Sequence, residues 1–499
     1  MIKGSVWSRG NIQGRVFSSW SLLVLLATVA LPVGIMLGLL RVSFDAVIVG
    51  GLLIAILVLL RQDELVATAI IALHLYVDWY LALSGVALLI ALALLFFFFF
   101  AQSPRYPWVE PPALGLWALF LVITVFPAIQ GALTVHDALI YYPNIVFGAF
   151  IMYWLGIVIA RNTACIRRLF QMLTIFAVLM AIHTILQSIT GKFLFGLPSV
   201  DAYIEGTSNH LLDVGYTVIR SGSFFIDPNW NGTFFAVVLF LPLGLFVESS
   251  SFLEKAIYLA AMLIMLPALL FTYSAGAWVS VFAGVIVFIV FVGRIRYRFQ
   301  LSFFIVIAVI ALATLFPTQI ALQLQHAINS NDRLGVWLTA LRVIYAFPLT
   351  GIGLGHQAYL LRAEPYRSLT QEVPLDHPHN SYLEWGAMAG LPVLIVFVAL
   401  LAFTLGLAIR NWLKAGTASR PLLGAGITAV MALSMNSFTI NGWTFPSLAA
   451  LGWVLLGCLS SPLLAKSHAI QAQQMGSEEH EGDGLFIKKS GSFHVYTAE

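Results

Sequence analysis

Two histidines one residue apart, His377 and His379, are the residues of this chain best placed for chemistry. They lie in the run DHPHNSYLE, residues 376–384, at the end of a polar segment, 318–381, that interrupts a mostly apolar sequence. A histidine can act as a general base near neutral pH without a large change in its pKa. We therefore predict that His379 is the catalytic base and that His377 has a lesser catalytic or substrate-contacting role.

The same run contains polar side chains that could support the histidines. Asn380 and Glu384, one helical turn apart, are predicted to orient a neighbouring group. A His-x-His pair can also bind zinc, but no cysteine or clear acidic cluster accompanies this pair in the sequence to complete a ligand set. We predict that the site needs no metal and no cofactor.

Arginine side chains in two separate polar loops could bind a phosphate. Arg220 precedes a helix start in which Asp227 is a good N-cap and Pro228 suits the first helical position. A guanidinium beside a helix N-terminus favours a phosphate or diphosphate, although an arginine that reaches lipid headgroups is a simpler interpretation. We predict that Arg220 and Arg333 bind a diphosphate. Asp227 and Asn229 would support them.

The second polar loop predicts two local structures. Apolar side chains recur at helical spacing after Arg333, which predicts an amphipathic helix lying on the membrane: Leu334, Trp337, Leu338, Leu341 and Tyr345. A glycine-rich run, residues 347–356, lacks the strand, the Lys-Ser/Thr ending and the following helix of a nucleotide-binding loop. It predicts a tight turn that packs closely against helices.

Composition places the chain in a membrane. The chain is 60% hydrophobic and only 9% charged, whereas soluble domains are about 25% charged. A membrane span needs about 20 mostly apolar residues. Fourteen segments qualify, although twelve or thirteen spans also fit the sequence: 21–40, 44–60, 64–79, 82–101, 112–129, 141–160, 169–190, 228–247, 256–273, 276–293, 301–317, 386–409, 421–437 and 443–464. We predict an all-α polytopic membrane protein with a long extracytoplasmic loop that contains amphipathic helices.

Lysine and arginine orient these segments, because both are concentrated on the cytoplasmic side of a membrane. Fourteen spans with both termini in the cytoplasm place 18 of the 25 Lys and Arg residues inside. The polar loops 191–227 and 318–385 then lie outside. This arrangement predicts N-terminal spans over 1–190, a catalytic membrane region over 191–465, and a disordered cytoplasmic tail over 466–499.

Taken in their order along the chain, these motifs resemble the O-antigen ligase and polymerase superfamily of membrane glycosyltransferases. The resemblance covers roughly residues 210–410. It rests on three sets of residues: Arg220 with DPN at 227–229, Arg333 with Trp337 and PLTGIG at 348–353, and HPHNSYL at 377–383 followed by Gly386 and Gly390. One departure is clear. Where the family often has Ser-Arg-Gly, this chain reads Ser274-Ala275-Gly276, so the role of that arginine is lost or taken by another group here.

The resemblance implies a glycan carried on a polyprenyl diphosphate at the outer face of a bacterial inner membrane. A hydroxyl of another glycan or of a lipid core would attack the anomeric carbon and expel the lipid diphosphate. His379 would take the acceptor's proton, and Arg220 and Arg333 would stabilise the leaving diphosphate. The sugar–diphosphate bond supplies the energy, so no nucleotide or metal is required. Membrane lipids, a flippase and a chain-length regulator are further expected partners, and nucleic acid is not.

A transporter of polysaccharide or lipid-linked oligosaccharide is the main alternative, because such proteins have a similar number of spans. Transporters typically show internal repeats and polar groups at the membrane midplane. A long polar loop with paired histidines would serve no purpose in one. Within the enzyme class, polymerase and ligase both stay open, as do the sugar, its linkage, the acceptor and the oligomeric state.

Overall fold

The computed structural model describes residues 109–135, 141–191, 220–225, 227–291, 332–371 and 374–464, with single residues between 299 and 317. All of them lie in one compact unit, Gln62–Glu499, and the other unit, Met1–Arg61, lies outside the described residues. Seven helices of the described part are long and apolar enough to cross a membrane. The prediction of an all-α polytopic membrane protein is therefore confirmed. The spans predicted before residue 102 and the tail over 466–499 are not among the described residues.

Helices make up the described elements, and we number them α1 to α14 in chain order. Their bounds are Leu114–Ile123 (α1), Val125–Ala132 (α2), Gly148–Ile159 (α3), Thr163–Thr190 (α4), Pro228–Val238 (α5), Phe240–Glu248 (α6), Phe252–Phe271 (α7), Ala275–Phe291 (α8), Asp332–Ala346 (α9), His356–Ala363 (α10), Ser381–Ala389 (α11), Leu391–Lys414 (α12), Arg420–Asn436 (α13) and Pro446–Ser460 (α14). A π-helical turn, Tyr142–Phe147, leads into α3.

The span predicted at 386–409 is wrong as a single helix. α11 ends at Ala389 and α12 begins at Leu391. Gly390 between them has a φ of +87°, and a Cβ at this position would collide with the backbone of Leu349. Only glycine adopts this conformation readily, so the chain turns here, and α11 is separate from the membrane span that follows.

The glycine-rich segment 347–355 holds the C-terminal end of α11. The Ile352 N–H donates to the carbonyl of Ala387 at 3.0 Å, which satisfies a helix-end acceptor. Gly351 has a φ of +62° and packs directly against the backbone of α11. The prediction of a tight turn is confirmed. The turn also delivers His356 to the first position of α10, so the expectation that no helix follows this run is wrong.

The helix predicted after Arg333 is α9. Its predicted apolar residues face outward, with Trp337 half-buried and the others exposed: Leu334, Leu338, Leu341 and Tyr345. The opposite face, which includes Val336, Ala340 and Val343, is buried. The predicted helix is thus confirmed, but it is apolar on both faces, and its outward apolar face is suited to contact with lipid.

Aromatic side chains fix α11 against the membrane helices. The ring of Trp385 in α11 lies 5.3 Å from Phe120 in α1 and 5.4 Å from Phe397 in α12, measured between centroids. Trp117 and Trp453 meet edge to face at 4.7 Å beside them. Such pairs contribute about 0.5–1.5 kcal/mol each beyond the area they bury. They give the residues at the start of α11 a rigid support.

Candidate active site

Histidine and carboxylate side chains from separate segments meet in one cluster. His377 and His379 lie in the loop that precedes α11, with Asp376 beside them. Glu384 lies in the first turn of α11, and His356 begins α10. We call these five residues the histidine–carboxylate cluster.

A continuous chain of short contacts links the two predicted histidines to Asp376. The Nδ1 atom of His377 is 2.6 Å from Oδ1 of Asp376, and its Nε2 atom is 3.0 Å from Nδ1 of His379. The rings of His377 and His379 meet edge to face, with centroids 4.2 Å apart. Both ring nitrogens of His377 are therefore engaged.

His356 forms a second arm of the cluster. Its Nε2 atom is 3.0 Å from Oε1 of Glu384, and its Nδ1 atom is 3.8 Å from Oδ2 of Asp376. Its ring stacks on that of His377 at a centroid distance of 4.9 Å. Sequence reasoning treated His356 only as the end of the glycine-rich turn. The available signal in the sequence was a histidine placed directly after a glycine-rich turn that was predicted to pack against helices.

Glu384 is the buried anchor of the cluster, with only 1% of its surface exposed. Its carboxylate accepts from the Tyr141 hydroxyl at 2.5 Å and from the Thr444 hydroxyl at 2.7 Å. Burial favours the neutral acid, but the hydrogen bond and charge of His356 hold the pKa of Glu384 below its usual value. Tyr141 and Thr444 lie far away in sequence, and the motifs did not indicate them.

The charges of the cluster support one another. Burial would raise the pKa of Asp376, but its hydrogen bond to His377 and the nearby imidazoles hold that pKa well below its usual range. Burial opposes the charged form of His356, yet the hydrogen bond and charge of Glu384, helped by Asp376, raise its pKa. Two carboxylates thus stay ionised beside a histidine that favours its charged form.

His379 combines an unusual backbone with a depressed pKa. Its φ of +49° lies in the left-handed region that few residues other than glycine adopt. Such conformations cost about 1–3 kcal/mol and are concentrated at functional sites. Burial, followed by the positive charge that His377 carries when protonated and by the charge of Arg333, holds the pKa of His379 well below its usual value, against the opposing effect of Asp376. The imidazole is therefore neutral at pH 7, as a general base must be.

Arg220 is a buried guanidinium at the start of α5, with 8% of its surface exposed. Its Nη2 donates to Oδ1 of Asn229 at 2.9 Å, and its Nε donates to the carbonyl of Thr272 at 3.3 Å. Among the described residues, none accepts a hydrogen bond from Nη1. Burial lowers the pKa of Arg220 to about 10, so it stays protonated at neutral pH.

Arg333, the second predicted arginine, interacts electrostatically with Arg220 and with the same carboxylate, Asp227. Asp227 caps α5 by accepting from the Asn229 N–H at 2.6 Å, as its sequence predicted. Its negative charge acts on both Arg220 and Arg333, and the positive charge of Arg333 acts on Arg220 and on His379. The structure thus brings the two predicted arginines, their predicted support Asp227 and the predicted base close together.

Asn380 serves as a helix cap. Its Oδ1 accepts from the N–H groups of Tyr382 and Leu383 at 3.0 and 3.1 Å, and its Nδ2 donates to the carbonyl of Phe438. This residue holds the start of α11, from which Glu384 projects. Its predicted support of the site is therefore through the backbone, since its amide is occupied by these contacts.

Three members of the cluster could hold a metal ion by distance alone. His356, Asp376 and His377 offer ligand atoms that all lie within 4.8 Å of one another. The stacked rings of the two histidines are inclined by only 24°, so their in-plane lone pairs run side by side and do not converge on one centre. The Nδ1 atom of His377 also lies at hydrogen-bond distance from Asp376. The geometry therefore favours a hydrogen-bonded cluster.

Ala275, which stands where the family often has an arginine, follows a turn that contacts Arg220. Ala275 begins α8, and the turn just before it supplies the carbonyls of Thr272 and Tyr273 to the Arg220 guanidinium. Tyr273 also has a positive φ of +50°. The departure from the family pattern is therefore at the site and not at a remote surface.

The described helices and this cluster define a polytopic helical membrane protein with a histidine and arginine site built from its polar loops. Residues 260–398 match the Wzy_C family model, described as O-antigen ligase. The matched segment contains Arg333 and the whole histidine–carboxylate cluster, while Arg220 precedes it. This match bears out the predicted resemblance to the O-antigen ligase and polymerase superfamily, and it supports a glycan-processing function in a membrane. A search of curated proteins found no match.

Proposed function

We propose that this protein is a membrane glycosyltransferase that moves a glycan from a polyprenyl diphosphate to an acceptor hydroxyl. One observation carries the proposal: a neutral histidine, His379, lies within electrostatic range of the Arg333 guanidinium, which in turn acts on Arg220. Proton removal from an acceptor and stabilisation of a leaving diphosphate need these two kinds of group side by side.

In the proposed reaction, Nε2 of His379 takes the proton of the acceptor hydroxyl as its oxygen bonds to the anomeric carbon. The bond from that carbon to the diphosphate oxygen breaks, and the polyprenyl diphosphate leaves with the electron pair. Arg220 and Arg333 stabilise the negative charge that grows on the diphosphate in the transition state. The proton on His379 then passes to water. No nucleotide or metal takes part.

A transfer assay tests the proposal against the transporter alternative. Purified protein in lipid nanodiscs would receive a polyprenyl-diphosphate-linked oligosaccharide and an acceptor. A glycosyltransferase makes a new glycosidic bond and releases free polyprenyl diphosphate, both visible by mass spectrometry. Movement of the donor between leaflets of a vesicle, with no new bond, would instead identify a transporter. Offering a second repeat unit and a lipid core as acceptors separates polymerase from ligase.

The proposed topology places both termini in the cytoplasm and the active site outside. We expect Leu369→Cys to react with a membrane-impermeant maleimide added to intact cells, and Ser250→Cys to react only after lysis. Both positions are exposed in the structure, and both native cysteines are buried, which keeps the background low. Labelling of Ser250→Cys in intact cells would reverse the orientation.

The depressed pKa of His379 predicts the acid side of the rate profile. A base works only when deprotonated, so the rate should stay on its plateau as pH falls through about 6.5, the ordinary histidine value, and decline only below it. Burial sets this pKa first, followed by the neighbouring groups His377, Arg333, Asp376 and His356. Transfer rates of purified protein between about pH 5 and 8 check this. A half-maximal rate at or above about pH 6.5 would contradict it.

A further inference from the structure

The contact chain from Asp376 to His379 has a direction, because each group in it can donate or accept at only certain atoms. An ionised carboxylate only accepts hydrogen bonds, and a neutral imidazole donates at one nitrogen and accepts at the other. Asp376 is such a carboxylate, since its pKa lies well below the usual range. The Nδ1 atom of His377, 2.6 Å away, must therefore carry the proton and donate.

The same reasoning continues to His379. With its proton on Nδ1, a neutral His377 has its lone pair on Nε2. That atom is 3.0 Å from Nδ1 of His379, which is therefore the donor in the state in which His377 is neutral. A neutral His379 with its proton on Nδ1 has its lone pair on Nε2. The basic nitrogen of His379 is therefore Nε2, which takes no part in the contacts from Asp376 to His379.

We propose that Asp376 is a positioning residue that, through His377, holds His379 in the tautomer with its lone pair on Nε2. This inference rests on the proposed function of His379 as the general base. His377 links the other two residues: its Nδ1–H donates to Asp376, and its Nε2 accepts from the Nδ1–H of His379. Asp376 also stabilises the positive charge that forms when His379 takes the acceptor's proton.

His356 and Glu384 keep Asp376 in place. The second oxygen of Asp376 lies 3.8 Å from Nδ1 of His356, whose other nitrogen is held by Glu384. The carboxylate of Glu384 is itself fixed by hydroxyl donors from Tyr141 and Thr444. The stacking of His356 on His377 restricts rotation of the His377 ring. This second arm thus ties the loop that carries Asp376 to the membrane helices.

The experiment is nitrogen NMR on the full-length protein, labelled with ¹⁵N-histidine, in lipid nanodiscs. The His379 signals are identified by their loss in His379→Gln. We expect wild-type His379 to be protonated at Nδ1 and unprotonated at Nε2. Asp376→Asn replaces the ionised carboxylate by a neutral amide, a weaker acceptor, and Asp376→Ala removes the acceptor. Either change should shift His379 away from this tautomer.

Kinetics provide the second measurement. We expect Asp376→Asn to lower kcat at least about 10²-fold with little change in KM, since loss of the correct histidine tautomer costs ~10⁴ in the serine protease triad. Asp376→Glu keeps a carboxylate acceptor and should retain more of the rate. The matched control is Glu364→Gln, because Glu364 is exposed and pairs with Arg367 away from the cluster. It should behave as wild type.

Different outcomes test the positioning role of Asp376 and the base role of His379. If His379→Ala abolishes transfer while Asp376→Asn and Asp376→Ala leave both the His379 tautomer and kcat unchanged, the positioning role is wrong and the base assignment stands. If Asp376→Asn lowers kcat and raises KM equally with the tautomer intact, its role is only structural and the inference is likewise overturned. Normal transfer by His379→Ala would instead remove the proposed function itself.

Discussion

Replacing His379 by alanine is expected to lower the rate of glycan transfer by about 10²–10⁴-fold, the usual contribution of a general base. The side chain is half-buried, so its removal opens no large cavity in the core. Protein level and membrane insertion should therefore be unchanged. The measurement is the rate of acceptor glycosylation by purified protein, normalised to the amount of folded protein by size-exclusion chromatography.

His377→Ala is the internal comparison for this variant. It leaves the base nitrogen of His379 in the site but removes the group that connects it to Asp376, so a smaller loss is expected. A near-normal rate in His379→Ala, with His377→Ala more damaged, would reverse the order of the two histidines. Near-normal rates in both variants would end the assignment of the base to this loop.

Replacing Arg220 or Arg333 by lysine is expected to cost about 10²–10³-fold in kcat, the range seen when a preorganised donor to a developing negative charge is removed. A lysine keeps the charge but cannot reproduce the two parallel contacts of a guanidinium. Lysine at 220 would also lose the separate contacts of Nε with Thr272 and of Nη2 with Asn229 that set its direction. The same transfer assay measures the effect.

Arg342→Lys is the matched control, because Arg342 lies on the same helix, α9, as Arg333 but is exposed and bonds only to the carbonyl of Arg367 among the described residues. It should keep the wild-type rate. If Lys at 220 and at 333 are both as active as the arginines, the two side chains act as diffuse charges, and the proposed diphosphate contacts are wrong.

Excess EDTA provides an independent measurement of the same hypothesis. If the arginines supply the positive charge at the diphosphate, EDTA should leave the rate of the purified protein unchanged. Loss of activity in EDTA, with recovery on addition of Mg²⁺ or Mn²⁺, would contradict the arginine hypothesis. In that case His356, Asp376 and His377, whose ligand atoms lie within 4.8 Å of one another, are the first residues to test as ligands.

Local chemistry explains which features were predictable. An aspartate followed by a proline before an apolar segment favours a helix start, and Asp227 and Pro228 both occupy the predicted positions. The spacing of apolar residues after Arg333 predicted α9, and the glycines at 351 and 353 predicted the tight turn before α10. The break at Gly390 was missed, because the hydropathy of the segment runs on across it while the conformation of one residue ends the helix.

The histidine–carboxylate cluster was only partly predictable, for a different reason. His377, His379 and Glu384 are close in sequence, and their types alone indicated chemistry. His356 and Tyr141 join them through contacts that span 28 and 243 residues of chain. No periodicity or local motif encodes such a contact, since it depends on how the glycine-rich turn packs on α11.

The sequence by itself therefore determined that this is a helical membrane protein, because hydropathy, helix caps and turn glycines act over a few neighbouring residues. It also indicated which residues could act as base and cation, and which family those residues resemble. The tertiary structure alone decided which of these residues share one site. Arg220 and Arg333 come from different loops, and their charges act on each other only because α5 and α9 place them together. The depressed pKa of His379 likewise comes from burial and from neighbours brought there by folding, so the property that keeps this histidine neutral at pH 7 belongs to the fold.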